Sequence, residues 1–378
     1  MLSNRSISLV ILCVVSLAMA GCVTIPRASF TADEEAAAAP PGFGVIRYDQ
    51  RTPALADMLR ATLKPDAEGN INALALSGGG ANGAYGAGLL SGWTASGRRP
   101  TFQVVTGIST GALTAPFAFL GPDWDPALRR AYLGKQTQEV LQSRGPAALL
   151  TPGFYSRKPL EELVHSYITD DMLRAIAAEH AKGRRLLVAT TNLDTEQLVV
   201  WDMGAIASRG GPEAKKLFEQ VLVASASIPG LFAPSMIDVQ SGGRTFAEMH
   251  VDGETESAFF AVPQTLFLAK QPDPPPYKVR LFIIVNAKLE GKFEVTPDRT
   301  LAVGWRAVDA VIKANMRSVL ISTFQFCRQY GCELEVASLP ENVDDAAFNF
   351  KGDHLQSLFD AGVAGGTQGT AWSDQPDP

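Results

Sequence analysis

The chain has 378 residues, 46% hydrophobic and 19% charged, which excludes both a mainly disordered chain and a multi-span membrane protein. Its net charge is −6, from 33 basic and 39 acidic residues, and no long Lys/Arg cluster supplies the positive footprint of a nucleic-acid binder. What remains is a globular chain with a core of its own.

Arg5 is the only charge before an apolar run from Ile7 to Ala20, the pattern of a secretory signal and too short for a membrane-spanning helix. The run ends at Met19-Ala20-Gly21-Cys22, which resembles the bacterial lipobox, whose cysteine becomes the lipidated first residue of the mature chain. Met19 stands where leucine is usual, and an ordinary cleaved signal is the alternative. This reading divides the chain into a signal peptide (1–21), a flexible Ala/Pro/Glu-rich tether after lipidated Cys22 (22–44), a catalytic body (45–365) and a polar tail (366–378). It places the protein in a bacterial cell envelope, held to a membrane, expected to be the outer one, through Cys22.

Along the body, Pro53 to Leu63 reads as a lead-in helix, and Ile71 to Ser77 as a strand stopped by three glycines. Gly83 to Ala95 reads as a helix, although each interior glycine costs about 1 kcal/mol relative to alanine. Gly86 and Gly88 therefore imply a helix pressed against a neighbour. A strand from Phe102 to Thr106 then runs through Gly107-Ile108-Ser109-Thr110-Gly111 into a helix from Ala112 to Leu120. Two strand, glycine-turn, helix units in succession predict an α/β fold with crossover connections and a parallel sheet. Further helices are expected at Leu160–Tyr167, Asp171–Lys182, Pro212–Ala224 and Ala302 to about Phe326, with strands at 185–191, 197–202, 245–251, 279–285 and 333–338. The segment from Pro122 to Pro159 is the candidate for a substrate-covering cap. Cys327 and Cys332 are candidates for a local disulfide in an oxidising compartment, two buried free thiols being the alternative.

Three segments carry chemistry. Gly107 to Gly111 has the G-x-S-x-G pattern of a nucleophile elbow, with the strand before and helix after that such an elbow requires; Ser109 is either a nucleophile or a helix cap. Ser77-Gly78-Gly79-Gly80-Ala81-Asn82-Gly83 leaves backbone N–H groups uncovered after a strand, suited to an oxyanion. It also satisfies the dinucleotide fingerprint, but Ala84 to Pro122 holds no acidic residue for a ribose, and no Gly-Lys-Ser/Thr makes it a phosphate loop. Asp252-Gly253 follows a strand; taken alone it is a turn signal, and as a base its carboxylate would need desolvation and contact with a serine hydroxyl.

Taken in chain order, the glycine loop, the G-x-S-x-G serine, the segment Ala224-Ser225-Ala226-Ser227-Ile228-Pro229 and Asp252-Gly253 together resemble the patatin-like phospholipases over about Ala73 to Pro263. The resemblance implies a three-layer α/β/α fold with a mainly parallel central sheet. It implies Ser109 as nucleophile, Asp252 as general base, and the Gly78, Gly79 and Gly80 backbone as oxyanion hole. The implied activity is a serine acyl hydrolase cleaving acyl esters of membrane lipids, a phospholipase A, lysophospholipase or lipase-like esterase, with no cofactor and no metal. Asn82, His250 and Gly253 are expected to line the site. Two departures stand out: Asn82 replaces the Arg or Lys usual before the loop's last glycine, and Glu254 follows Asp-Gly where Gly or Ala is usual. A Ser-His-Asp triad through His354 and a non-catalytic lipid- or partner-binding surface lipoprotein are the rival readings.

Overall fold

The computed structural model describes residues 27–145, 153–268, 277–291, 293 and 295–375. The signal peptide and Cys22 lie outside the described residues. In chain order the elements that build the body are β1 (Arg47–Asp49), α1 (Ala54–Thr62), β2 (Asn70–Leu76), α2 (Gly83–Ala95), β3 (Val104–Gly107), α3 (Thr110–Leu120) and α4 (Asp125–Leu133). They continue with α5 (Lys158–Tyr167), α6 (Asp170–Ala181), β4 (Arg185–Asn192), β5 (Gln197–Asp202), α7 (Met203–Arg209) and α8 (Gly211–Ser225). The last are β6 (Ser235–Ser241), β7 (Arg244–Asp252), β8 (Lys278–Val285), α9 (Thr300–Tyr330), β9 (Glu333–Ser338) and α10 (Gly352–Gln368).

The strands form one sheet in the order β1-β5-β4-β3-β2-β8-β9. Its middle, from β4 to β9, is parallel, as two-faced burial of runs such as Ile71–Leu76 and Leu281–Val285 requires. Helices cover both faces, so the fold is the α/β architecture expected from the repeated strand, turn, helix units. One long apolar core lies under α2, α3, α8 and α10, and a second lies between β8, β9 and α9.

The antiparallel additions position the site. β3 stops after four residues, with Gly107 opposite Val188 of β4. β7 takes over the same edge of β4 from the opposite direction, setting Asp252 opposite Thr190. The carboxyl ends of β3 and β7 therefore point at each other, one residue of β4 apart. β6, a strand not among those expected, pairs with β7 and bridges Ala39 through Gln240, and it is half exposed, so its hydrophobic pattern is weak.

The glycines of α2 meet a partner absent from the sequence reading. α10 crosses α2 so closely that a Cβ on Gly88 would lie 2.0 Å from the Phe359 carbonyl oxygen, and one on Gly362 would lie 2.1 Å from that of Tyr85. Two corrections follow at the termini. The stretch 27–44 is no free tether: Phe30 stacks on Phe246 at 4.4 Å, Arg27 pairs with Asp194, and Arg47 just beyond it pairs with buried Glu248. The tail is docked as far as residue 375, because α10 runs to Gln368, Trp372 packs on Trp93 at 4.6 Å, and Ser373 bridges to Val336. Cys327 and Cys332 form a disulfide that closes the turn from α9 into β9.

Replacing Gly88 by alanine is expected to lower the unfolding free energy by about 1–3 kcal/mol, because the methyl group meets backbone that cannot rotate away. A chemical-denaturation midpoint unchanged from the wild type would show that the two helices have room to separate.

Candidate active site

Ser109 sits where β3 turns into α3, with φ 54° and ψ −126°, a left-handed conformation that a residue with a side chain adopts only under constraint. The constraint is close packing on both sides. A Cβ on Gly107 would lie 2.5 Å from the Gly111 carbonyl oxygen, and one on Gly111 would lie 2.4 Å from that of Leu76. Only glycines fit, and the turn they permit lifts the serine above the strand end and in front of the α3 N-terminus. The helix dipole there favours a developing negative charge.

Asp252 is 1% exposed, at the end of β7. Its Oδ1 accepts a hydrogen bond from the Glu254 N–H at 2.9 Å. Oδ2 is buried and makes no standard hydrogen bond, yet the Ser109 hydroxyl is near enough to favour the ionised carboxylate. The two groups are adjacent but not aligned, as is common for catalytic pairs without substrate. Burial outweighs the serine and raises the Asp252 pKa to about 7. Gly253 completes the junction, since a Cβ there would lie 2.9 Å from both the Ala189 carbonyl oxygen and the Ile108 side chain.

The segment after α8 ties the two strand ends together. Ser225 Oγ accepts from the Ser109 N–H at 3.0 Å and donates to the Ala189 carbonyl at 2.7 Å. The Asp252 N–H donates to the Ser227 carbonyl at 3.0 Å. Sequence reading recognised this segment only as a pattern; the structure makes it the bracket that fixes both ends.

The glycine loop lies alongside. Gly78 departs from its expected part, because its N–H is already donated to the Ala258 carbonyl at 3.3 Å. The amides of Gly79 and Gly80 meet no acceptor among the described residues. Gly79 has φ 139° and Gly80 φ 56°, and each lies against a neighbouring carbonyl, of Asn286 and Ala347, with no space for a side chain. Asn286, which no sequence motif marks, holds the loop from behind: its N–H donates to Ser77 Oγ at 2.8 Å and its Nδ2 to the Ser77 carbonyl at 3.0 Å.

Gly80, Ser109 and Thr110 stand at a cleft with about 680 Å³ of empty space. Its walls are apolar, with Leu113, Val140, Leu160, Leu163, Leu231 and Phe350 among them. Residues 131–141, inside the segment expected to form a cap, supply one wall; residues 146–152 of that segment lie outside the described residues. None of the three further residues expected to line the site does so. Asn82 is fully buried and donates to Asp345 Oδ1 at 2.7 Å. His250 is fully buried between Thr190 Oγ1, at 2.9 Å, and Glu248, at 3.1 Å, against the Trp201 ring. Gly253 is occupied by the packing just described.

Among the described residues no histidine hydrogen-bonds Ser109 or Asp252, so the rival triad is not assembled. His165 pairs with Glu219 on the surface, His180 faces Asp202, and His354 lies on α10. Among the described residues no cluster of His, Cys and carboxylates could hold a metal ion, and no helix is long and apolar enough to cross a membrane.

A patatin-like phospholipase family model matches residues 74–261. Among solved structures the chain is similar to VipD from Legionella pneumophila, with 14% identity and a TM-score of 0.32 over 79% of this chain and 70% of that one. It is also similar to the type III effector protein ExoU, with 16% identity and a TM-score of 0.32 over 80% of this chain and 53% of that one, so it spans about half of ExoU. No curated protein matches it.

Replacing Ser225 by alanine leaves the Ser109 N–H buried without an acceptor, at a cost of about 1–3 kcal/mol. Thermal melts of Ser225→Ala should show that loss. A melt identical to the wild type would mean that the elbow holds its shape without this bond.

Proposed function

Because the chain belongs to the patatin-like phospholipase family, a lipid-hydrolase family, we propose that it is a serine acyl hydrolase that cleaves acyl esters of membrane lipids with a Ser109–Asp252 dyad. The observation that carries this reading is the adjacency of a strained serine hydroxyl and a buried, incompletely bonded carboxylate at the head of an apolar cleft. The cleft suits an acyl chain, which gains about 0.8 kcal/mol for each methylene it buries.

In the proposed reaction the acyl chain enters the cleft and the ester carbonyl lies over Ser109. Asp252 takes the hydroxyl proton as Oγ attacks, and the amides of Gly79 and Gly80 receive the oxyanion. Asp252 then gives the proton to the departing alcohol. Water, deprotonated by the same carboxylate, releases the acyl group and restores the serine. Whether the ester belongs to a phospholipid, a lysophospholipid or a glyceride is set outside the dyad.

A fluorophosphonate probe is expected to label the wild-type protein and to spare Ser109→Ala, while Asp252→Asn labels at least about 100-fold more slowly. Because the base acts in its ionised form and burial holds it at about pH 7, labelling should rise with pH through that value and level off above it. A folded wild type that takes no label would favour a lipid-binding protein without catalysis.

The lipobox-like run before Cys22 supports a second part of the proposal: a lipid anchor that holds the enzyme at a bacterial envelope membrane, the outer one in this reading. Metabolic labelling with a palmitate analogue should mark the wild type and not Cys22→Ser. Equal labelling of both would remove the anchor.

A further inference from the structure

Glu254 is the second acidic side chain at the site, and the proposed reaction leaves it without a part. The backbone turn that begins at Gly253 is capped by Asp252 Oδ1, and it directs the Glu254 side chain back over the glycine loop. There the carboxyl fills the space that a side chain at residue 78 would need: a Cβ on Gly78 would lie 2.0 Å from the carboxyl carbon and 2.2 and 2.5 Å from its oxygens. Those oxygens have no hydrogen-bond partner among the described residues. The carboxyl therefore lies against the α-carbon that precedes the two free amides, within electrostatic reach of Asp252.

We propose that Glu254 is a positioning residue that works as a neutral acid: its carboxyl braces the oxyanion loop at Gly78 and leaves Asp252 as the only charge beside Ser109. The inference rests on the hydrolase reading above. A negative charge at Glu254 would oppose the oxyanion at Gly79 and Gly80, and it would stand beside a carboxylate that must itself be ionised to act as base. Two neighbouring carboxyls, one fully buried and the other half-buried, hold one charge between them more readily than two.

The surroundings decide which one is neutral. Burial and the Asp252 charge hold the Glu254 carboxyl well above the usual carboxylate range, while contact with Ser109 and the Glu254 N–H favours ionised Asp252. Among the described residues no cation acts on either carboxyl to reverse this order. Ser109 and Ser77 on the elbow and loop are neutral, and Asn315, the α9 residue nearest the turn, is bonded to Glu256 O and to the Ala258 N–H. Glu256 turns away to Gln50 at 2.9 Å, and Asp49 and Arg51 face Glu256.

The experiment is the pH profile of ester hydrolysis by the full chain and by Glu254→Gln and Glu254→Ala, using a short-chain 4-nitrophenyl ester and with thermal melts to confirm folding. The wild type should show an acidic limb from Asp252 and a fall at alkaline pH. Glu254→Gln keeps a neutral group of the same shape, so it should retain at least about a third of the activity at the optimum and lose the alkaline fall. Glu254→Ala removes the brace and should lose about tenfold or more at every pH.

The proposal is overturned if the alkaline fall persists in Glu254→Gln, if the wild type shows none, if the Gln variant drops below about a third, or if the Ala variant matches the wild type. Each of these outcomes leaves an active wild type and hence the hydrolase reading intact. A wild type that neither hydrolyses the ester nor takes the fluorophosphonate label defeats both.

Discussion

One edge of β4 serves two strands that arrive from opposite directions, and the site exists because of it. Val188 is the last β4 residue paired with β3, and Thr190 the first paired with β7. Had β3 run two residues further, β7 would have had no edge, and Asp252 would sit elsewhere. The gap between the strand ends is one residue wide, and Gly253, packed against Ile108 and Ala189, fills it without a side chain. Residues 109 and 252, more than a hundred positions apart, are thus neighbours through main-chain geometry. The bracket at Ser225 and Ser227 fixes that geometry from below, one residue through a side chain and the other through its carbonyl.

Placing a carboxylate at such a junction opposes stability. Raising Asp252 from the ordinary 3.8 to about 7 corresponds to a penalty on the order of 4 kcal/mol for keeping it ionised. The sign follows from the raised folded-state value. The penalty is absent below the unfolded pKa, grows as the pH rises, and is complete above about 7. The same desolvation makes the carboxylate a stronger base, so the feature that weakens the fold near neutral pH is the one the proposed reaction uses. The apolar cores on both faces of the sheet, and the main-chain bonds of the bracket, hold the group in place against that penalty.

The parts legible in the sequence are those fixed by local rules. The elbow needs glycines at 107 and 111 because backbone passes within contact distance, so its signature is compact and readable. The same holds for the glycine loop, the Asp-Gly turn and the helix α2 that the structure places at Gly83–Ala95, the bounds its sequence suggests. What was illegible depends on distant partners. α10 buries a stripe of Leu355, Leu358 and Phe359 that Gly362 and Gly366 continue without side chains, so only its first turns read as apolar; the rest follows from the close crossing with α2. Residues 27–44 read as a tether by composition, yet Phe30 and Arg27 find Phe246 and Asp194, some two hundred positions away. Gly78 looked like an oxyanion donor because its amide is free in the sequence pattern, and only the fold shows Ala258 already bound to it. His250 was misplaced for a related reason. It shares the strand of Asp252 and a regular two-residue spacing, but the sheet it enters is dry and already supplies Glu248 and Thr190 as partners.

Asn82 shows how a departure from the family pattern is accommodated. Where a cation is usual, a fully buried amide donates to Asp345, and Asp345 in turn faces Lys313 at 3.5 Å. The positive charge nearby is therefore already paired, and none projects from the loop toward the cleft. The loop takes its shape instead from residues 345–350: Ala347 accepts the Ala81 N–H at 2.8 Å, and Phe348 and Phe350, next in sequence, are part of the cleft wall. Glycine loop and apolar wall are thus one packed unit. In the proposed reaction the attraction for substrate along this wall comes from buried methylenes rather than from a phosphate held by the loop.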